Sequence, residues 1–229
     1  LVQRMDTGFH LFFARITQRQ YDRQGRPSML SDSFSQHAPA HPAGIHTPQA
    51  PCAAVKPALK LTVAFLGAAD IPAFIALQQS IRAALEKDYH IKPRTAADLK
   101  HHFGERMPLI GVKDETGALA GGCLISFLKN HDAVKNITGY PIGDHEKSVT
   151  AIAQSVCVAP ALRGNGIAGL LLDAAHYVAE QNNMTQIISA IADDNLQSSK
   201  AFKAAGYSAF AHGFDPHKAY AKTYYRLLI

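Results

Sequence analysis

A glycine-rich stretch, Arg163-Gly164-Asn165-Gly166-Ile167-Ala168, contains the residues of this sequence that are best suited to bind a ligand. Apolar residues at helical spacing follow it, and the backbone N–H groups at a helix start converge on one spot at the positive end of the helix dipole. Glycines let a phosphate approach the backbone without Cβ clashes, and Arg163 adds a positive charge. The stretch predicts a pyrophosphate-binding turn; the alternative is a tight turn that binds nothing.

The same stretch also matches G-x-G-x-x-G, the pattern of dinucleotide-binding Rossmann folds, but three features disfavour that fold. Five residues, Ala159–Arg163, separate the preceding predicted strand from the first glycine. No carboxylate ends the next predicted strand at Ile191, although Asp193 follows nearby. Only 60 residues follow Gly169, which is too few for the remaining strand and helix units of a doubly wound sheet.

Other residue types that carry chemistry are thinly spread along the chain. His101-His102 lacks both an HExxH context and a third ligand, so we expect no metal site. Neither a G-x-S-x-G elbow nor a G-x-x-x-x-G-K-[ST] loop occurs. Cys52, Cys123 and Cys157 are far apart and form no CxxC pair, which disfavours a disulfide framework and predicts a reducing, cytoplasmic compartment.

The charge distribution argues against nucleic acid and membrane partners. The chain of 229 residues has a net charge of +5 and a pI of about 9.1, which by itself suggests an acidic partner. Residues 1–58 hold six basic and three acidic side chains, whereas the rest holds 17 basic and 15 acidic ones. No apolar run of 18 residues occurs, and Phe9–Ile16 is too short and interrupted for a secretory signal. With 17 basic and 15 acidic side chains, the segment from residue 59 onward is expected to be nearly neutral, which disfavours nucleic acid and membrane partners.

The chain divides into an N-terminal arm and one folded domain. Six of the 12 prolines fall within Pro27–Pro57, where periodic apolar residues are missing. We therefore predict a flexible or loosely attached arm over residues 1–58 and a domain over residues 59–229.

Hydrophobic periodicity predicts the elements that position the glycine-rich turn. Strands are expected at Leu59–Leu66, Leu109–Lys113, Ala118–Leu128, Ser148–Val158, Gln186–Ile191, Tyr207–Ala211 and Tyr220–Leu228. Helices are expected from Asp70 to about Leu85, from Thr95 to about Phe103, from the glycine-rich turn to about Asn182, and over Asn195–Ala205. The order βααβββαβαββ predicts an α/β layered fold with a mixed sheet. Lys129–Lys147 is expected to be a polar loop, and Gly121-Gly122 a bulge or a close backbone approach.

Two motifs in this order resemble the GNAT superfamily of N-acetyltransferases. Val156-Cys157-Val158 followed by Arg163–Ala168 resembles its acetyl-CoA motif, R/Q-x-x-G-x-G/A. Asn195 to Ser198, Phe202 and Gly206-Tyr207 are similar to its downstream N-x-x-A/S…Y/F…G-F helix. The resemblance covers roughly residues 59–229 and implies a mixed, splayed sheet flanked by helices.

The resemblance implies acetyl-CoA as cosubstrate, with no metal, and a role for each matching residue. Val156, Cys157 and Val158 would pair with the pantetheine arm, and one of their N–H groups, taken as that of Val156, would donate to the thioester carbonyl. The pyrophosphate would be bound by Arg163, Gly164, Asn165, Gly166, Ile167 and Ala168. Asn195 would bond the pantetheine near the sulfur, cap its helix, or do both. Phe202 would also contact the cofactor.

The family mechanism is direct attack of an acceptor amine on the thioester in a ternary complex. The family's usual acid is a tyrosine at the position of Phe202, and phenylalanine cannot donate a proton. Substitute acids are Tyr207, Tyr224 and Cys157, although packing roles are open for each. Gln154 and Ser155 could orient a water that acts as base.

These features together predict an N-acetyltransferase for the amine of a small molecule. The acceptor is expected between Lys87–Arg94 and Lys129–Lys147, and family analogy suggests a homodimer. Members that acetylate protein N-termini often carry a glutamate at the position of Ala190. Two alternatives stay open, an acyl-CoA-binding module without activity and an acetyltransferase for a protein amine.

Overall fold

The computed structural model describes residues 59–91, 93–100, 108–128, 142–216 and 218–229. The predicted arm 1–58, His101-His102 and most of the loop Lys129–Lys147 lie outside the described residues. The strands are β1 (Thr62–Phe65), β2 (Leu109–Lys113), β3 (Leu119–Phe127), β4 (Thr150–Val158), β5 (Gln186–Ala192), β6 (Ser208–Asp215) and β7 (Tyr220–Leu228). The helices are α1 (Ile71–Ala83), α2 (Ala96–Lys100), α3 (Asp144–Ser148), α4 (Ile167–Gln181) and α5 (Leu196–Ala204). Short 3-10 turns occur at Ala68–Asp70, Asp88–His90 and Pro160–Leu162.

The strands form one seven-stranded mixed sheet in the order β1-β2-β3-β4-β5-β7-β6. Neighbouring strands are antiparallel except for β4 and β5, which are parallel. Helix α4 makes the crossover between this parallel pair, because two parallel strands cannot be joined by a tight turn. Because β4 and β5 are parallel, their C-terminal ends lie on the same side of the sheet, near the start of α5.

Helices α1 and α4 cover the two faces of the sheet. Helix α4 buries an apolar stripe at helical spacing that includes Leu171, Ala174 and Val178, each 0% exposed. On the other face, α1 buries Phe74, also 0% exposed, together with Leu77. Each fully buried apolar side chain of this size stabilises the fold by about 1.5–3 kcal/mol.

Gly121 and Gly122 allow both helices to approach strand β3, as the close-approach prediction expected. A Cβ added at Gly121 would lie 2.8 Å from Cγ2 of Ile167 in α4. A Cβ added at Gly122 would lie 2.5 Å from Cε2 of Phe74 in α1. The register also shifts between Gly122 and Leu124, which marks a bulge at this point. The paired glycines thus set how closely α4, and the turn that opens it, packs on the sheet.

The predicted order of the main elements is confirmed, with three differences at element level. Strand β6 continues past Ala211 to Asp215, because it pairs with β7 along its whole length. Helix α3 lies within the segment that was expected to be a polar loop. Helix α1 ends at Ala83, before Leu85. Thr95 caps α2 as predicted, since its Oγ1 accepts from Asp98 N at 3.1 Å.

Candidate active site

A cleft opens where strands β4 and β5 separate. They pair only over Thr150–Ile152 and Gln186–Ile188, and the last link is the Ser189 hydroxyl, which donates to Ala153 O at 3.0 Å. Beyond this point Ser155 has a φ of 51°, in the left-handed region, so β4 departs from regular strand geometry. The separation creates a cleft of about 520 Å³. One wall of this cleft is the edge of β4, which has no strand partner there.

The predicted phosphate-binding turn lies at the start of α4. Gly164 and Gly166 have φ values of 80° and 76°, which side chains rarely adopt. Gly166 is the N-cap and has no side chain to cap the helix, and a helix leaves its first N–H groups without intrahelical acceptors. The Asn165 side chain bonds its own loop, since Nδ2 donates to Leu162 O at 2.9 Å. Backbone N–H groups are therefore what this turn offers to an anion.

Three of the predicted cofactor-contacting residues, from different elements, line the cleft: Val156 of β4, Asn195 and Phe202. Asn195 caps α5, because its Oδ1 accepts from Ser198 N at 3.1 Å. Phe202 is 2% exposed and packs edge-on against Tyr207, with ring centroids 4.9 Å apart. The fold thus brings together residues that are up to 46 positions apart in the chain.

The remaining predicted cofactor residues differ in which groups they can present. Arg163 is exposed at the turn, and Val158 and Ala168 are half-buried. The side chains of Cys157 and Ile167 are 5% and 1% exposed and pack in the cores on opposite sheet faces. Cys157 and Ile167 can therefore contact a ligand only through their backbones.

Asp194, directly before Asn195, gathers three side chains from the segment that follows α1. Its carboxylate accepts from Lys87 Nζ at 2.6 Å and bonds His90 Nε2 at 2.7 Å, and the Tyr89 hydroxyl donates to it as well. Hydrogen bonds from Lys87, and then Tyr89, hold the pKa of Asp194 well below its usual range. We refer to Lys87, Tyr89, His90 and Asp194 as the Asp194 cluster.

The Asp194 cluster joins one wall of the cleft to the other. Tyr89 also stacks on Tyr220 of β7, with ring centroids 4.7 Å apart and planes 6° from parallel. Tyr89, His90 and Tyr220 all line the cleft. Sequence reasoning placed the acceptor near Lys87–Arg94 but missed Asp194, because more than 100 residues separate the partners and no local spacing relates them.

A second polar network lines the cleft beside β4. Arg94 Nη2 donates to Gln154 Oε1 at 2.6 Å, and Gln154 Nε2 donates to Ser126 Oγ at 2.7 Å. Gln78 accepts from the backbone N–H of Arg94 at 2.8 Å. Each end of the Gln154 amide thus makes one hydrogen bond. Gln154 and Ser155 both line the cleft, and their role in orienting a catalytic water stays a prediction.

Family membership follows from a sequence comparison. The sequence model of the Acetyltransferase (GNAT) family matches residues 74–207, more than half of the chain. The chain belongs to the GNAT family. It is an N-acetyltransferase of mixed α/β fold, and the predicted family and fold class are confirmed. The matched range includes the glycine-rich turn, β4, Asn195 and Phe202, which carried the resemblance.

Solved structures share this GNAT fold at low sequence identity. A GCN5-related N-acetyltransferase from Kribbella flavida is 19% identical, covers 74% of this chain and 98% of its own, and has a TM-score of 0.57. YncA from Salmonella typhimurium, solved with its cofactor acetyl-CoA, is 18% identical, covers 74% of this chain and 94% of its own, and has a TM-score of 0.54. The ribosomal-protein-S18-alanine N-acetyltransferase from Escherichia coli is 14% identical, covers 74% of this chain and 94% of its own, and has a TM-score of 0.55. No curated protein matches the chain significantly.

A membrane-spanning helix and a metal-binding cluster are both absent from the part of this GNAT chain that the structure describes. None of its helices is long and apolar enough to cross a membrane. Within those same residues, no group of three or more His, Cys, Asp and Glu side chains is arranged to bind a metal ion.

Tyr207, which the sequence suggested as an acid, lies in the core of this GNAT domain. It is 3% exposed, and it is not among the residues that line the cleft. Burial raises its pKa well above the usual tyrosine range, and its hydroxyl has no hydrogen-bond partner among the described residues. Tyr207 is therefore too deeply buried to protonate a leaving thiolate, contrary to the expectation from sequence.

Replacing Tyr207 with phenylalanine is expected to increase the free energy of unfolding by about 1 kcal/mol, because it removes a buried hydroxyl without a partner. The turnover number should stay within a factor of about two, since the hydroxyl does not reach the cleft. Urea unfolding and steady-state kinetics measure the two effects. A stable variant with a turnover number reduced tenfold or more would restore Tyr207 as an acid.

Tyr224 and Cys157, the other suggested acids, also lie outside the lining of the cleft. The Tyr224 ring packs over β6, where a Cβ added at Gly213 would lie 2.9 Å from its Cε2. Burial raises the pKa of the Cys157 thiol to about 12, and the thiol packs in the core beneath α1. Among the described tyrosines, Tyr89 and Tyr220 instead line the cleft.

Proposed function

We propose that this chain transfers the acetyl group of acetyl-CoA to the amine of a small molecule by direct attack in a ternary complex. The observation that carries the proposal is the cleft between β4 and β5, which is lined by polar side chains, together with the glycine-rich turn that follows β4 at the start of α4. A site of this construction supplies positions for both substrates at once, so no acyl-enzyme is required.

The residues of the site fit acetyl-CoA as cosubstrate. The N–H groups of Arg163–Ala168 would bind the pyrophosphate, since Gly164 has open space where a Cβ would lie. The unpaired edge of β4 at Val156–Val158 would bond the pantetheine arm, and the Val156 N–H would donate to the thioester carbonyl. Asn195 and Phe202 would contact the arm from α5. Acetyl-CoA supplies the activated acetyl group.

The shape of the cleft favours a small acceptor over a protein segment. Its volume of about 520 Å³ lies within the range of about 300–1,000 Å³ typical of small-molecule pockets. The Asp194 cluster and the Tyr89–Tyr220 stack connect opposite walls, which leaves less room for an extended chain. Ala190 lines the cleft where acetyltransferases of protein N-termini often carry a glutamate.

His90 is the side chain that we propose as the proton acceptor for the amine. It lines the cleft and bonds the Asp194 carboxylate at 2.7 Å through Nε2. A carboxylate partner favours the tautomer that is protonated on Nε2, which leaves Nδ1 able to accept a proton. Because Asp194 precedes Asn195, His90 would lie near the part of the cleft where the thioester is proposed to bind.

Thiol release from acetyl-CoA across a panel of amines tests this function. We expect release with small-molecule amines, at a rate at least tenfold above that with peptides that have free N-termini or lysines. If acetyl-CoA raises the melting temperature but no amine releases thiol, the protein is a binding module. Faster release with peptides would identify an acetyltransferase for protein amines.

A further inference from the structure

Arg94 lines the cleft and forms no ion pair with a carboxylate of the described residues. Its one side-chain bond among these residues is to the neutral amide of Gln154 at 2.6 Å. Its Nε is buried and has no hydrogen-bond partner. Arg94 is half-buried and lines the cleft, so its guanidinium is partly removed from water and is available to pair with an anionic ligand.

The charges that surround Arg94 do not complete the site. Asp98 lies one turn further along, but its carboxylate is exposed and accepts from Thr95 N at 2.9 Å. Burial lowers the pKa of Arg94, and the attraction of Asp98 offsets this lowering only in part. Three other charged side chains line the cleft: Asp215 at the end of β6, Lys218 in the turn that follows, and Lys222 in β7. Asp98 therefore affects the pKa of Arg94 less than burial does, and it forms no ion pair with the guanidinium.

Arg94 is held in place before any ligand binds. Gln78 Oε1 accepts from the backbone N–H of Arg94 at 2.8 Å. Ser126 Oγ accepts from Gln154 Nε2 at 2.7 Å, which fixes the amide whose oxygen accepts from the guanidinium. An arginine fixed in this way can bind a carboxylate through two N–H groups without ordering a mobile side chain first.

The position of Arg94 relative to the transfer site indicates the size of the acceptor. Gln154, which Arg94 contacts, precedes Val156 by two residues, and two residues of strand span at most about 7 Å. An anionic group bound by Arg94 and an amine that attacks at Val156 would therefore both lie beside this short stretch of β4. An amino acid carries its amine and its carboxylate close enough together to reach both positions.

We propose that Arg94 binds the carboxylate of the acceptor, so that the acceptor is an amino acid acetylated on its free amine. This inference rests on the proposed function, whose substrate class it narrows. Because a fixed guanidinium repels cations, polyamines without an acidic group are expected to be poor acceptors.

The test compares amino acids with their primary amides, which retain the amine and the side chain and lack the carboxylate. For the amino acid that reacts best, the kcat/KM of the wild-type protein should be about 100-fold higher than for the corresponding amide. This preference is expected although the amide has the less basic amine, which is more often neutral. Arg94→Gln should reduce kcat/KM for the acid by about 100-fold and leave that for the amide within about threefold. Arg94→Lys, which keeps the charge and loses the planar fork, should retain part of the preference. Arg82→Gln, on the exposed side of α1, is the matched control and should behave as wild type.

Calorimetric binding of the same pair separates this inference from the proposed function. If no amine is acetylated but the acid binds the wild type and not Arg94→Gln, the carboxylate site stands and the transfer reaction fails. If the wild type does not distinguish acid from amide, or Arg94→Gln distinguishes them equally well, the inference is overturned. If Arg94→Gln does not fold, Arg94→Lys takes its place in the test. A reduced preference for the acid over the amide in Arg94→Lys supports the inference, and an unchanged preference overturns it.

Discussion

Replacing Gly164 with glutamate is expected to raise the Kd for acetyl-CoA about 100-fold, equivalent to about 2.8 kcal/mol. Gly164 has a φ of 80° at the turn before α4, and no atom lies within 4 Å of the place where a Cβ would be. A glutamate there would put a carboxylate where the pyrophosphate is proposed to bind, and like charges repel. Isothermal titration calorimetry with acetyl-CoA measures the effect.

Gly117→Glu provides a control matched to the same backbone conformation. Gly117 lies in the turn between β2 and β3, has a φ of 83°, and has equally open space at its Cβ position. Both variants should therefore lose a similar amount of stability, about 1–2 kcal/mol, because both force a side chain into the left-handed region. Only Gly164→Glu should lose acetyl-CoA binding. Equal binding by the two variants would show that the pyrophosphate site is assigned to the wrong turn.

His90→Gln is expected to lower kcat by a factor of about 10²–10⁴, the range attributed to a positioned general base. Glutamine keeps a polar side chain in the wall of the cleft but cannot accept a proton from the amine. Asp194→Asn should lower kcat in the same direction, because the His90 ring loses the carboxylate that sets its tautomer. Steady-state kinetics with the best acceptor measures both effects, and the Kd for acetyl-CoA should remain within threefold of wild type.

His212→Gln is the matched control for this experiment. His212 lies on β6, is exposed, and bonds Thr223 Oγ1 at 3.0 Å, while Thr223 in turn donates to Asp193. It is thus a second histidine linked to an acidic residue of the turn after β5, but it does not line the cleft. Its replacement should leave kcat unchanged. A His90→Gln variant with wild-type kcat would exclude His90 as the base.

The sequence alone was sufficient for features that short segments encode. The largely apolar run of β3 after the turn at 114–117 and the helical stripe of α4 are local patterns, and both elements formed as predicted. Gly164 and Gly166 adopt the left-handed conformation that glycine accommodates, so the turn could be recognised from composition and position. Element order then followed, because each element carries its own signal.

The roles of individual side chains in the cleft depended on the tertiary structure. Tyr207 and Phe202 are only five residues apart, yet Phe202 lines the cleft and Tyr207 is buried behind it. Local spacing does not encode this difference, because it depends on where α5 packs on the sheet and where β6 begins. Sequence reasoning therefore selected the wrong tyrosines as candidates for the acid.

What the sequence by itself determined is the family, the order of the elements and the turn expected to bind pyrophosphate, because these rest on contiguous motifs. Only the tertiary structure decided which side chains meet on the proposed acceptor side, where Asp194 meets His90 and Arg94 meets Gln154 across separations of 104 and 60 residues. Such pairings form when the sheet brings distant strands and loops together. Their energies depend on burial and on hydrogen-bond geometry, which exist only in the folded chain.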